Sequence, residues 1–149
     1  MSRTLRAAAL SLLLLLSGGA LAAQTADLRL APLCIPDAHT LCLDGGRFSV
    51  IAAYQKSESG PSIQATAVPL TDATGYFWFF DSSNVELIVK VLDGCGGNNH
   101  FWVFAAGLTN VGVELEVTDL RADQHQVYQS PVGTPFAPIQ DTMAFATCP

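Results

Sequence analysis

Val113-Glu114-Leu115-Glu116-Val117-Thr118 alternates apolar and polar residues without a break, and its reading decides the fold. Successive side chains of a strand point to opposite faces, so this run buries one face and wets the other. Val85, Leu87, Val89 and Val91 repeat the alternation. Their opposite face holds Glu86, Ile88, Lys90 and Leu92, half of it apolar, which marks a more central strand. Working outward, turn signals recur at short intervals: Asp44-Gly45-Gly46, Ser59-Gly60-Pro61, Thr74-Gly75, Asp81-Ser82-Ser83-Asn84, Asp93-Gly94, Ala106-Gly107 and Gly133-Thr134-Pro135. The spacing predicts strands near 41–43, 47–54, 62–68, 76–80, 85–92, 101–105, 109–118, 125–129 and 142–147. Beyond the first 23 residues no segment keeps a 3.6-residue period with caps. The pattern predicts an all-β fold, an antiparallel immunoglobulin-like sandwich of about seven to nine strands. A small β-barrel is the alternative.

The chain has 149 residues, enough for one domain with a substantial core and too few for a second of similar size. Half of it is apolar, which excludes collagen-like, coiled-coil and disordered classes. Seven Lys+Arg against 13 Asp+Glu give a net charge of -6 with no basic run, so no nucleic acid is expected as a partner.

Residues 1–22 read as a secretory signal peptide. Arg3 and Arg6 supply the charged start, Ala7 to Leu16 the apolar stretch, and Ala20-Leu21-Ala22 the cleavage site. The apolar stretch falls well short of the roughly 20 residues needed to span a bilayer, so no membrane anchor is expected after cleavage. Residues 23–33 read as a linker and 34–149 as the domain, secreted or periplasmic. Export places Cys34, Cys42, Cys95 and Cys148 in an oxidising compartment, where an even count favours disulfides. Three pairings are open. Cys34 with Cys42 and Cys95 with Cys148 is favoured, because the first pair flanks a short turn-like loop and the second ties the last strand to the middle. A zinc site is the rival, but there is no Cys-x2-Cys pair, and His39, His100 and His125 lack ligand spacing. No metal or cofactor is expected.

Tyr76 to Phe80 is an unbroken aromatic run, and Phe101, Trp102 and Phe104 form a second cluster. Such runs put aromatic rings on both faces of a sheet, and only one face can enter the core. The expected arrangement has these strands buried on both faces under the Pro-rich stretch near Pro135 to Pro138. The rival is an exposed ligand surface, with Trp78, Trp102 and His100 as candidates. No catalytic motif or catalytic residue is found. Glu86, Glu114 and Glu116 read as solvated charges rather than a carboxylate pair for glycoside cleavage. Asp93 to His100 is a glycine-rich turn offering oxygen ligands that calcium could use, but with one carboxylate it reads as a hairpin. Arg47 is paired, as an expectation, with Asp141.

Leu41-Cys42-Leu43, Gly46-Arg47-Phe48, Phe77-Trp78-Phe79-Phe80, Glu86-Leu87, Val89 to Cys95, Phe101-Trp102-Val103-Phe104 and Asp141 to Cys148 together resemble a module that recurs in exported bacterial proteins. It occurs alone and appended to other extracellular domains. The resemblance covers about Cys34 to Cys148 and implies an exported accessory β-sandwich domain; it brings no catalytic residue. Tyr54 stands where the module usually has Trp, and Leu120-Arg121-Ala122-Asp123 replaces its Thr-x-Thr-Gly turn.

These readings lead to an exported, non-enzymatic binding or structural module whose partner is another extracytoplasmic protein. A small secreted inhibitor or a carbohydrate-binding protein is the alternative, and a hydrolase follows after both.

Overall fold

The computed structural model describes residues 33–149. The expected signal peptide and residues 23–32 of the linker lie outside them. Ten strands follow one another: β1 (Thr40–Leu43), β2 (Phe48–Gln55), β3 (Ile63–Gln64), β4 (Thr66–Thr71), β5 (Thr74–Trp78), β6 (Leu87–Asp93), β7 (Phe101–Gly107), β8 (Gly112–Asp119), β9 (Gln124–Ser130) and β10 (Ile139–Phe145). A single helical turn, α1 (Cys95–Asn98), sits between β6 and β7. The strands form two antiparallel sheets. The first runs β1-β2-β8-β9, with β3 also on β2, and the second runs β10-β7-β6-β5-β4. This is the expected all-β sandwich, with two open sheets rather than a closed barrel.

Alternation does what the sequence promised. In β2, Phe48, Val50, Ala52 and Tyr54 point inward, and Val113, Leu115 and Val117 of β8 lie directly beside them. The second sheet answers with Phe77, Leu87, Val89, Val91, Phe101 and Val103. The two inner faces form one apolar core.

Boundaries moved where loops took over backbone pairing. The strand expected at 62–68 is two strands, because the chain changes sheets at the fully buried Ala65. Its amide bonds the Ala52 carbonyl on the first sheet, while Thr66 pairs with Trp78 on the second. Residues 109–111 leave β8, since Thr109 and Asn110 offer their carbonyls to the amides of Phe136 and Gly133. The last strand starts earlier than expected, directly after Pro138.

The turn at 120–123 closes with Asp123 in the left-handed region (φ 53°) and the Asp119 carboxylate accepting the Arg121 amide. Tyr54 stacks on Phe79 at 4.6 Å between ring centroids and donates its hydroxyl to the Phe79 carbonyl at 2.8 Å. A phenol can thus fill the aromatic role in the core, because its one polar atom finds a partner there.

Candidate binding face

The sandwich has two outer faces of opposite chemistry. On the first sheet the outward rows are Ser49, Thr118 and His125; Ile51, Glu116 and Val127; and Ala53, Glu114 and Gln129. This face is polar and acidic, and Glu114 accepts from the Gln129 amide at 2.7 Å. On the second sheet one outward row is Val68, Tyr76, Ile88 and Ala106, and the next is Thr74, Lys90, Phe104 and Gln140. Leu92 and Trp102 follow. Ile88 is 41% exposed, and Tyr76, Trp78, Trp102 and Phe104 are half-buried. Lys90 lies 5.0 Å from the Phe104 ring centroid, so the cation stands on an aromatic surface. A shallow groove of about 320 Å³ crosses this face, walled by Ile88, Phe104 and Ala106 on the strands and by Pro138 and Ile139 at its margin.

The expected cover is elsewhere. Phe136, from the Pro-rich stretch, is buried at the end of the sandwich against Gly107, where an added Cβ would stand 2.6 Å from that of Phe136. The stretch is therefore spent on plugging the core end, and only Pro138 reaches the edge of the outer face.

Of the three candidate ligand residues, Trp78 and Trp102 share this face but not a locality. Trp78 pairs with Thr66 near one end, and Trp102 sits six residues of strand farther along, roughly 20 Å at the usual strand rise. Trp102 packs over the 94–98 turn, and its indole N–H donates to Asn98 Oδ1 at 2.7 Å. His100 belongs to the turn as well, with Nδ1 donating to the Asn98 carbonyl at 2.8 Å.

That turn consumes its own oxygens. The Asp93 carboxylate accepts the Cys95 amide at 2.8 Å, and the Asn98 side-chain amide donates to the Thr142 carbonyl. Among the described residues no three of His, Cys, Asp and Glu gather to hold a metal. The two disulfides, Cys34–Cys42 and Cys95–Cys148, pair as favoured from the sequence. They suit an oxidising compartment. No described helix is long and apolar enough to cross a membrane.

Two charge assignments are corrected. Arg47 does not meet Asp141; it is buried and forms a two-pronged bond with the fully buried Asp119, Nη2 to Oδ2 at 2.6 Å and Nε to Oδ1 at 3.1 Å. Asp141 instead accepts the Tyr128 hydroxyl at 2.9 Å. The reason is register: Phe48 faces Asp119 across β2 and β8, which brings the preceding residue, Arg47, to the inward carboxylate. Glu86 is not solvated either. It precedes β6, is buried, and is capped by the Asn84 side-chain amide, because the chain turns at Asp81–Asn84 and folds back on it. Glu114 stays exposed as expected.

Burial works to raise the Asp119 carboxyl, but the hydrogen bonds from Arg47 and Thr147 and the Arg47 charge outweigh it and hold the group below the usual carboxylate range. Burial, reinforced by Asp141, pushes the Tyr128 phenol well above its ordinary value. Neither group opens onto the aromatic face. Both tie strands together.

No family model matches the chain, and comparisons with curated proteins and with solved structures found no match either.

Proposed function

We propose that the protein is an exported, non-enzymatic binding module, of the kind the resembling bacterial domains represent, that docks another extracytoplasmic protein on the outer face of its second sheet. The contrast between the two outer faces carries the reading. A surface that only needs solvation has no use for Tyr76, Ile88, Leu92 and Phe104 on one side while keeping glutamates and glutamines on the other. Aromatic and aliphatic area with few charges is the composition of an interface core, and Lys90 at its centre calls for a carboxylate on the partner.

A protein fits better than a sugar. Carbohydrate stacking wants open aromatic ring faces, whereas Trp102 is spent on covering the glycines of the 94–98 turn and Trp78 lies far from it. Export follows from the leader-like residues 1–22 and agrees with the two disulfides.

The test compares three forms of the folded, oxidised protein as bait against envelope and secreted fractions: the wild type, Ile88→Asp on the aromatic face and Glu116→Lys on the acidic one. A stoichiometric partner held by the wild type and Glu116→Lys but lost by Ile88→Asp is the expected result. A partner held equally by Ile88→Asp, or turnover on a panel of hydrolase substrates, would overturn the proposal.

A further inference from the structure

The sandwich has four edges, and three carry devices that discourage another strand from adding to them. On the first sheet, one side ends in β1 and β3, of four and two residues. On the second sheet, β4 carries Pro69 and a register break between Pro69 and Thr71, and β10 is broken between Asp141 and Phe145. Short edges, proline and bulges all blunt strand addition.

The fourth edge, β9, has none of these. Gln124-His125-Gln126-Val127-Tyr128-Gln129-Ser130 contains no Pro, Lys, Arg, Asp or Glu and pairs with β8 through seven residues in unbroken register. Among the described residues none pairs with its outer side. It is also held in place from beneath. Gln126 donates its side-chain amide to the Ala144 carbonyl at 2.7 Å and Tyr128 bonds Asp141, so β9 is fixed to β10 across the sandwich. An edge with unbroken register and no formal charge, tethered by two hydrogen bonds, loses little ordering entropy when a new strand joins it.

We infer that β9 pairs antiparallel with β9 of a second copy about a two-fold axis through Val127. The two first sheets then become one continuous sheet. The sequence of the edge is compatible with itself in this register: Val127 meets its own equivalent, His125 meets Gln129, Gln126 meets Tyr128 and Gln124 meets Ser130. Inward and outward residues stay on their proper faces, and no two like charges face each other. Val127 is 44% exposed without a partner and gains a β-branched cross-strand neighbour. The nearest acidic residue of the outer face, Glu116, lies one strand in from the edge. Its distance from the second copy's Glu116 is three strand spacings, roughly 14 Å, beyond the screening length at physiological salt. A two-fold perpendicular to the sheet keeps both aromatic faces on the same side of the dimer. This inference stands whether or not that face docks a protein.

A single strand pair buries less than a standard interface of roughly 1,200 to 2,000 Å², so the dimer dissociates on dilution. Sedimentation of the oxidised protein, expressed from the full chain, over roughly 5 to 500 µM tests it. The expected result is a concentration-dependent monomer–dimer equilibrium that Val127→Lys abolishes while keeping the wild-type circular dichroism spectrum. Cysteine pairs read the register: Val127→Cys cross-links to itself on mild oxidation, and His125→Cys cross-links to Gln129→Cys when the two are mixed. A wild type that stays monomeric throughout, or a dimer that survives Val127→Lys, would overturn the inference.

Discussion

Arg47 and Asp119, 72 residues apart, clamp the end of the core where the two chain reversals at 44–47 and 120–123 meet. The guanidinium lies 4.0 Å above the Phe101 ring and also donates to the Thr147 carbonyl at 2.7 Å. One cation thus joins β2, β7, β8 and the C-terminal segment. Asp119 is fully satisfied by Arg47, Thr147 and the Arg121 amide. Removing either member leaves a buried charge without its partner. Asp119→Asn should cost about 3 to 5 kcal/mol in denaturant unfolding. Replacing both by Met and Leu should cost far less than the sum of the single changes.

The same pair sets an acid limit. A carboxyl held below its unfolded value lends stability that is complete above about pH 4, the unfolded value, and is lost as pH falls through the lower folded one. Wild type should therefore lose melting temperature steeply below pH 4, and Asp119→Asn, already weakened, should show a shallower slope there. Parallel slopes would exclude Asp119 as the group responsible.

Tyr128 sets the opposite limit. Its folded phenol titrates above the unfolded value, so its contribution is complete below about pH 10 and declines as pH rises beyond that. Tyr128→Phe should lose about 1 kcal/mol at neutral pH, the bond to Asp141, and be less sensitive to alkali than the wild type. Thermal melts from pH 8 to 11 read both.

The disulfides differ in reach. Cys95–Cys148 closes a separation of 53 residues and Cys34–Cys42 one of 8. By loop-closure entropy the first contributes up to about 4 kcal/mol and the second about 2.5. Paired Cys→Ser variants should rank in that order. A Cys148→Ser protein that melts like the wild type would show the long bridge to be idle.

At Gly94 the backbone is ordinary (φ −102°), but an added Cβ would stand 2.2 Å from Trp102. Gly94→Ala should cost about 1 to 3 kcal/mol through overpacking and shift the tryptophan emission, since the ring is displaced from the turn. Gly96→Ala, which meets nothing within 4 Å, is the control.

Much of this was legible in the sequence because strand periodicity is local. The alternation in 113–118 and, of the second apolar set, Leu87, Val89 and Val91 named their buried faces correctly, whereas Val85 lies exposed ahead of β6, and turn residues bracketed most strands. Asp119 is missed, because the expected strand stops at Thr118, although Asp119 continues the parity of Val113, Leu115 and Val117 and that signal could have placed it inward. What the local pattern does not carry is which distant residue answers it. The motifs alone pair Arg47 with Asp141, and cross-strand register places Asp119 there instead. The fate of the 133–138 stretch was hidden for a similar reason. Pro and Gly announce a loop, but where Phe136 inserts depends on the space that Gly107 leaves, far away in sequence. The aromatic face was half visible: the run Tyr76 to Phe80 required rings on both sides, and only tertiary packing showed that the outer side goes uncovered by Phe136.

The change of sheets at Ala65 has a mechanical consequence. A single stretch of chain is hydrogen-bonded to the first sheet on one side of this residue and to the second on the other. The layers therefore cannot slide past each other or part without tearing backbone bonds on either flank of Ala65. Opening the layers along this line costs backbone hydrogen bonds and not side-chain packing alone.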